Sequence, residues 1–269
     1  MNSQPFRHWL VNWKLTPDGS PFTTRSGSQL LPVVWRGERA ILKIAGHEEE
    51  RRGGNLMEWY GGRGAARVLA REGDALLLER LTGGRSLSHM ARCGQDDDAT
   101  RILCRTTIAL HAPREQTAPI GLIPLEVWFH ALEIAATQHG GTFATCAGVA
   151  RSLLADPREP VVLHGDVHHD NVLDGGAHGW LVIDPKGLVG ERGFEYANLF
   201  RNPDLATALA PGQMRRRIEI VTQEGNLDRR RLLDWVVAYA GLGAAWSLED
   251  GDDPTPGLAI AEQAAAIFI

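Results

Sequence analysis

The stretch VVLHGDVHHDNVL at positions 161–173, followed by WLVIDP at 180–185, carries the most informative residues of this chain. Short apolar runs bounded by turn residues are typical of buried strands, so the polar loop between these runs is expected to join two strands. Within that loop four residues separate Asp166 from Asn171, and the last apolar run ends at Asp184. The pattern therefore predicts three side chains that handle metal ions and protons, all at the ends of strands.

The spacing of Asp166 and Asn171 is that of the kinase catalytic loop H-R-D-x-x-x-x-N, with Gly165 in place of the Arg. Phosphoryl transfer depends mainly on aligning an acceptor hydroxyl and neutralising phosphate charge with Mg²⁺. We expect Asp166 to accept or orient the hydroxyl proton, and Asn171 and Asp184 to supply oxygen ligands to one or two magnesium ions. His168 occupies a position where many kinases carry a Lys, and it either donates a hydrogen bond near the transferred phosphate or shapes the loop.

A polar turn after a buried strand is the alternative interpretation of His-Gly-Asp at 164–166, because Gly and Asp favour turns. That interpretation does not explain the combination of two apolar strands, the loop between them and an Asp at the end of a strand. His164 itself is expected to lie behind the loop and to hold its backbone by hydrogen bonds. The combination favours a kinase active site.

Composition agrees with such an enzyme. The 269 residues, 43% hydrophobic and 23% charged, are ordinary for a soluble protein with two lobes around a cleft. The net charge of −5 indicates no nucleic-acid partner, and the basic run 215–217 is interpreted as a solvated helix face. Cys93, Cys104 and Cys146 form no C-x-x-C pair, which argues against a disulfide framework or a zinc site. We find no apolar leader or membrane span and expect a cytoplasmic protein.

Two strands are predicted over 30–35 and 39–44, joined by a turn at Gly37. The second strand contains Ala-Ile-Leu-Lys ending at Lys43, which matches the kinase strand V-A-I-K, whose Lys binds the α- and β-phosphates. An exposed Lys at a sheet edge is the alternative. Ahead of this hairpin, the candidates for covering the phosphates with backbone amides and hydroxyls are Ser26, Gly27 and Ser28, although the segment has a single Gly.

A helix is predicted over 47–60, ending at the glycines 61–62. Such a helix can deliver a Glu to Lys43, and the ion pair would hold the Lys toward the phosphates. The residues alone leave two candidates, Glu50 and the less favoured Glu58.

Two further strands are predicted over 65–69 and 75–79. The residues that follow, beginning with Arg80 and Leu81, are predicted to form a hinge between two lobes, and the backbone of this hinge is expected to hydrogen-bond to the adenine of the nucleotide. Apolar periodicity then predicts helices over 97–111, 125–138, 143–155, 214–224, 229–245 and 258–268. The expected fold class is α+β and protein-kinase-like. A nucleotide-binding lobe, 1–82, is mainly an antiparallel sheet with one helix, and a mostly helical lobe, 83–269, carries catalysis and acceptor binding.

Seven segments extend the pattern over nearly the whole chain: AILKI, EEERRGG, GGRGAARVL, LLLERL, HGDVHHDN, GWLVIDPKGLVGERGFEYAN and AYAGLGAAW. In this order they resemble the aminoglycoside phosphotransferase family, and within it the branch of streptomycin 6-phosphotransferases and aminoglycoside/hydroxyurea resistance kinases. The resemblance implies transfer of the γ-phosphate of ATP to an antibiotic hydroxyl. It also implies roles for five residues: Asp166 as base, Asn171 and Asp184 as magnesium ligands, Lys43 as phosphate Lys and Glu50 as its partner.

The chain departs from the family at Glu195, where an Asp is common. We expect this Glu to brace the catalytic loop rather than to bind substrate. The nucleotide is expected to be ATP, with GTP as the alternative.

The acceptor pocket is the part that the residues determine least. Streptomycin is polycationic, so its pocket should combine carboxylates with an aromatic wall, and the end of a predicted helix offers Trp246, Glu249 and Asp250. A solvated acidic loop is the alternative. Glu191, after the Asp184 segment, is a further candidate for lining the cleft.

Three hypotheses follow from the sequence. The first is a streptomycin-type O-phosphotransferase, and the second is a kinase for a small metabolite such as choline, homoserine or a sugar amine. The third is a nucleotide-binding module without catalysis, which the presence of all four residues Lys43, Asp166, Asn171 and Asp184 argues against. In the first two the partner is a small-molecule acceptor, without nucleic acid or membrane.

Overall fold

An antiparallel sheet forms most of the N-terminal part of the computed structural model, which describes residues 4–24 and 27–267. Its strands are β1 (Thr16–Pro17), β2 (Phe22–Thr23), β3 (Gln29–Trp35), β4 (Glu38–Ile44), β5 (Val68–Glu72) and β6 (Ala75–Glu79). The order is β1-β3-β4-β6-β5, and β2 also pairs with β3. A 3₁₀ turn (Gln4–Phe6) and helix α1 (Arg7–Asn12) precede the sheet, and helix α2 (Glu48–Tyr60) lies between β4 and β5 in the chain.

The alternation of side chains along β4 decides what this sheet presents to the cleft. Ala40 and Leu42 are fully buried in a small core on one face of the sheet. Because successive side chains of a strand point to opposite faces, Ile41 and Lys43 lie on the other face. Both of them line the cleft between the sheet and the remainder of the molecule.

The remainder of the described chain is mainly helical. Its helices are α3 (Leu87–Arg92), α4 (Asp96–His111), α5 (Leu125–Trp128), α6 (His130–His139), α7 (Gly141–Ala155), α8 (Leu205–Ala208), α9 (Gln213–Gly225), α10 (Arg229–Glu249) and α11 (Thr255–Ala266), with 3₁₀ segments Gly176–His178 and Arg192–Arg201. Its short strands are β7 (Ile123–Pro124), β8 (Pro160–Leu163), β9 (Val172–Asp174), β10 (Trp180–Val182) and β11 (Leu188–Glu191). The ribbon β9-β10 and the small sheet β7-β11-β8 carry the polar loop of the opening stretch.

Helix α10 is the central helix of this part. Every residue from 235 to 245 is buried, as expected for a helix that packs on neighbours all round. Gly243 permits one of these close approaches, because a Cβ at this position would lie 1.7 Å from a guanidinium nitrogen of Arg201. The helix runs from this buried stretch to the surface, where Glu249 is exposed.

The predicted strands at 30–35, 39–44 and 75–79 are confirmed, and α2 ends as expected at Gly61, which has a left-handed backbone with φ 58°. The strand predicted over 65–69 begins later, at Val68. Ala65 instead forms a parallel bridge with Val182, because the preceding segment is buried against β10 rather than in the first sheet. The helix predicted over 125–138 is two helices that meet at Phe129.

The basic run 215–217 is not entirely a solvated face, which corrects the sequence interpretation. Arg215 and Arg216 are exposed, but Arg217 is 1% exposed and forms a two-pronged ion pair with Asp96, at 2.6 and 2.9 Å. Its remaining nitrogen donates to the carbonyl oxygens of Leu199 and Asn202, each at 2.7 Å. A buried guanidinium requires this complete set of partners.

Within the described part of the chain, no helix combines the length and apolar character needed to cross a bilayer. The boundary that we propose between the lobes, after residue 82, falls in the extended segment 80–84 that links β6 to α3.

Candidate active site

The catalytic loop begins where β8 ends. Gly165 has φ 86°, a backbone conformation that glycine adopts without strain. A Cβ here would lie 2.7 Å from Leu188 Cδ1, so the tight packing of this loop on β11 leaves no room for a side chain. This explains why Gly stands where the kinase motif has Arg.

His164 lies behind the loop and is fully buried. The backbone N–H of Asp166 donates to its Nδ1 at 3.2 Å, and its Nε2 donates to the carbonyl of Ile183 at 2.9 Å. Burial lowers the pKa of His164, so the ring stays neutral with its proton on Nε2. His164 thus ties the catalytic loop to the segment that leads into Asp184.

Glu195 braces the same loop from the 3₁₀ segment 192–201. Its two carboxylate oxygens accept hydrogen bonds from the backbone N–H groups of His164 and Gly165, both at 2.7 Å. Burial favours the neutral carboxyl, but the hydrogen bond and charge of His111 outweigh it, so the pKa of Glu195 is lowered. A buried carboxylate with these donors fixes the loop backbone.

Asp166 is oriented by two amide groups. Asn198 Nδ2 donates to its Oδ1 at 2.8 Å, and Asn171 Nδ2 donates to its Oδ2 at 3.0 Å. Burial raises the pKa of Asp166, while the neighbouring His168 and Lys186 act against the rise. The two amides leave lone pairs on both carboxylate oxygens, so the group can still accept a proton from a hydroxyl. His168 Nε2 lies 3.8 Å from Asp166 Oδ1.

Asp184 and Asn171 lie side by side because the backbone N–H of Ile183 donates to the carbonyl of Asn171 at 2.9 Å. Since the Asn171 amide nitrogen points to Asp166, its Oδ1 is the atom left for a cation. Asp184 has φ 64°, an uncommon conformation for a residue other than Gly, and such strain concentrates at functional sites.

Lys43 forms ion pairs with both Glu50 and Asp184. Glu58 is elsewhere, paired with Arg71 at 2.5 Å. The structure therefore selects Glu50 from the two candidates on α2. The positive charge of Lys43 outweighs the effect of burial on Asp184 and lowers the pKa of that carboxyl.

A cleft of about 360 Å³ opens between β4 and the catalytic loop, a size within the range of small-molecule sites. Its wall is largely apolar: Phe22, Leu30, Ile41, Leu78, Leu81, Leu173 and Ile183. Lys43, Asn171 and Asp184 stand at one end, and Arg80 and Leu81 of the hinge also line it. An apolar wall with charged and amide side chains suits a ligand that has an apolar ring and an anionic part.

The expectation for the segment before β3 needs correction. Ser26 lies outside the described residues. The backbone N–H groups of Gly27 and Ser28 already donate to Thr24, at 3.0 Å each, and Ser28 is fully buried. These two residues therefore close a turn rather than offer donors to phosphates, whereas Thr24 lines the cleft.

Glu191, a sequence candidate for the acceptor side, is buried in another role. Its carboxylate accepts hydrogen bonds from the Arg231 side chain at 2.6 Å, from Trp235 Nε1 at 2.8 Å and from the backbone N–H of Arg158 at 2.9 Å. With its oxygens occupied by internal donors, Glu191 joins β11 to α10 and is not available to a substrate.

The other acceptor candidates lie at the end of α10. Trp246 is half-buried and packs edge-on against Trp128 and Tyr239, with ring centroids 5.4 and 6.2 Å away. Burial raises the pKa of the Tyr239 hydroxyl, and the negative charge of Asp166 adds to the rise. The aromatic cluster of Trp128, Tyr239 and Trp246 thus includes the part of α10 that precedes the exposed Glu249 and Asp250.

Sequence reasoning missed two residues of this site. Asn198 contacts Asp166 from a position 32 residues away, and Lys186 lies beside the catalytic loop, where its backbone N–H donates to His164 at 2.7 Å. The only sequence signal for either was its place within the segments GFEYAN and DPKG, next to residues already chosen.

Comparison with known proteins gives concordant findings. The family model of aminoglycoside/hydroxyurea antibiotic resistance kinases matches residues 12–251. A streptomycin 3''-kinase from Klebsiella pneumoniae is 48% identical over 247 residues, covering 90% of this chain and 92% of that protein. A streptomycin 6-kinase from Streptomyces griseus is 33% identical over 260 residues, covering 89% and 80%.

The fold comparison agrees with the expected architecture. An aminoglycoside phosphotransferase from Streptomyces rimosus, solved in complex with ADP and streptomycin, superposes with a TM-score of 0.60 at 16% identity, covering 90% of this chain and 99% of that one. The expected protein-kinase-like fold is confirmed.

Proposed function

Because the chain belongs to the aminoglycoside/hydroxyurea antibiotic resistance kinases, we propose that it transfers the γ-phosphate of ATP to a hydroxyl group of streptomycin. Membership of this family confirms the resemblance seen in the sequence. The observation that carries the proposal is the carboxylate of Asp166, held by Asn198 and Asn171 beside a cleft that ends at Lys43 and Asp184.

In the proposed reaction the acceptor hydroxyl lies against Asp166, which takes its proton as the oxygen attacks the γ-phosphorus. The bond from phosphorus to the β-phosphate oxygen breaks, and ADP leaves with that oxygen. Lys43, held by Glu50, binds the α- and β-phosphates of the nucleotide. Neutral His164 and ionised Glu195 keep the loop backbone fixed, so that the hydroxyl and phosphate meet in line.

The residues at the phosphate end of the cleft fit Mg²⁺. Asn171 Oδ1 and the Asp184 carboxylate are the hard oxygen ligands that Mg²⁺ prefers, and phosphate oxygens and water commonly complete its shell. Among residues 4–24 and 27–267 no three His, Cys, Asp or Glu side chains are grouped to hold a metal alone. This agrees with an ion that enters with the nucleotide, whose charge it neutralises. We place this reaction in the cytoplasm, where ATP is supplied.

For the acceptor, we propose the 3''-hydroxyl of streptomycin. The sequence left the position of phosphorylation open, and identity to the streptomycin 3''-kinase exceeds that to the streptomycin 6-kinase. The cationic acceptor would lie against Trp246 and the carboxylates of Glu249 and Asp250, since cations bind aromatic faces and acidic groups.

The test is ADP release with Mg-ATP and a panel of streptomycin, other aminoglycosides, choline and homoserine. Release with streptomycin that disappears in Asp166→Asn supports the proposal, and ³¹P–¹H correlation NMR of the product locates the phosphate. Phosphate at the 6-hydroxyl would overturn the assigned position. Turnover with choline or homoserine alone would replace the antibiotic by a metabolite.

A further inference from the structure

A second lysine stands at the active site without a role in the proposed function. The sequence contains three lysines among its 28 basic residues: Lys14, Lys43 and Lys186. Lys14 is exposed, whereas the other two are partly buried, with side chains 12% and 18% exposed. In a chain that uses Arg almost everywhere else, one of these two lysines forms an ion pair with Asp184, and the other follows Asp184 by two positions.

The backbone of Lys186 is fixed against the catalytic loop from two sides. Its N–H donates to the carbonyl of His164 at 2.7 Å, and its carbonyl accepts a hydrogen bond from Arg52 Nε at 2.8 Å. A Cβ on Gly165 would lie 3.1 Å from the Cβ of Lys186, so the side chain begins directly beside the residue that precedes the base.

Helix α2 holds the two lysines with consecutive carboxylates. Glu50 pairs with Lys43, and Glu49 pairs with Lys186 at 2.8 Å. The helix is pressed against this segment, because a Cβ on Gly53 would lie 2.3 Å from the carbonyl oxygen of Pro185. The ammonium of Lys186 is thus held in place from the nucleotide-binding side.

The charge of Lys186 acts on both carboxylates: it opposes the rise that burial causes in the pKa of Asp166, and it adds to the effect of Lys43 in lowering the pKa of Asp184. Its charge therefore acts on both carboxylates that the transferred phosphoryl group is expected to approach. Many kinases place a Lys two residues after the catalytic Asp, and here that position is His168. A Lys carries a permanent, compact charge suited to a phosphate, whereas His is often neutral.

We propose that Lys186 is a catalytic residue that binds the γ-phosphate of the nucleotide and neutralises it during transfer, with Glu49 holding it in place. Lys43 serves the α- and β-phosphates, and Lys186 serves the phosphate that moves. The proposal rests on the kinase function proposed above.

The test measures binding and needs no acceptor. Isothermal titration with Mg-AMP-PNP and with Mg-ADP separates the γ-phosphate from the remainder of the nucleotide. In Lys186→Met the affinity for AMP-PNP should fall about tenfold or more, as for loss of a charge-assisted hydrogen bond, while that for ADP changes less than about threefold. Lys43→Met should weaken both, and the exposed Lys14→Met should weaken neither.

An equal loss for both nucleotides in Lys186→Met, or no loss for either, would overturn the proposal. Thermal unfolding of the variant checks its fold, and Lys186→Arg, which keeps the charge, should recover part of the AMP-PNP affinity. Because no acceptor is present, failure of streptomycin as substrate leaves this result intact. Conversely, a kinase active on streptomycin whose Lys186→Met variant binds both nucleotides normally would refute only the role of Lys186.

Discussion

The two sides of the active site are built differently. On the catalytic side the carboxylates of Asp166 and Glu195 are held by donors at 2.7 to 3.0 Å, and the nearby His164 has both ring nitrogens in hydrogen bonds. On the acceptor side, Glu249 and Asp250 are exposed at the end of α10. The comparison indicates that hydrogen bonds fix the side chains around the proposed base, whereas solvent surrounds the carboxylates proposed to bind the acceptor.

The largest effect is expected from replacing the proposed catalytic base, Asp166. Asp166→Asn removes the proton acceptor while keeping the size of the side chain, and general-base catalysis contributes roughly 10²- to 10⁴-fold. We expect kcat for ADP release with streptomycin to fall by about that factor. Affinity for Mg-ADP, measured by titration, should change little, and a variant that retains most of its kcat would exclude Asp166 as the base.

Glu195→Gln tests the bracing of the loop. The amide keeps one acceptor oxygen but turns an N–H₂ group toward a backbone donor in a buried site, which typically costs about 3 kcal/mol of unfolding free energy. The matched control is Glu249→Gln on the exposed side, expected to change stability by less than about 0.5 kcal/mol. Urea denaturation of both variants measures the difference, and similar values would contradict the comparison.

Asn198→Ala tests whether orientation of the base matters apart from its presence. The variant loses a donor to the charged form of Asp166, so kcat should fall about tenfold with little change in KM for streptomycin. The pKa of Asp166 is already raised by burial, and losing this donor raises it further. Since the base acts when deprotonated, the acidic limb of the kcat profile should move to higher pH. An unchanged limb would mean that Asn198 only supports the fold.

The smallest effect is expected on the acceptor side. Replacing both Glu249→Gln and Asp250→Asn should raise KM for streptomycin about threefold, because exposed charges each contribute little. The difference from the wild type should shrink at high salt, where such attractions are screened. A change in kcat instead would show that this end of α10 takes part in positioning the reacting groups.

Sequence reasoning brought together residues whose proximity follows from local spacing. Asp166 and Asn171 are five positions apart, and the alternation along β4 determines which face presents Lys43. The burial of Arg217 was not predicted, because its partner Asp96 is 121 positions away and nothing in the local sequence distinguishes this Arg from its two exposed neighbours. The contact of Asn198 with Asp166 was not predicted either, because the two residues are 32 positions apart.

Other differences between prediction and structure concern polar residues that form hydrogen bonds within the protein. Glu191 was chosen because it follows the Asp184 segment, but Arg231 and Trp235 on α10 occupy its carboxylate. Ser28 was chosen for its neighbouring Gly, yet its backbone N–H closes a turn with Thr24. Residue types near a site indicate which reactions are chemically feasible there. Whether a given side chain is free to bind a ligand depends on its contacts with residues that are distant in the sequence.

The scarcity of lysine makes this active site chemically addressable. An amine-directed acylating reagent has three side chains to modify, and two of them, Lys43 and Lys186, pair with the neighbouring carboxylates of α2 and are the proposed phosphate ligands. Bound nucleotide would shield these two, while Lys14 on the surface would remain as an internal standard. Peptide mass spectrometry of the acylated protein could therefore report nucleotide occupancy residue by residue, without a labelled nucleotide.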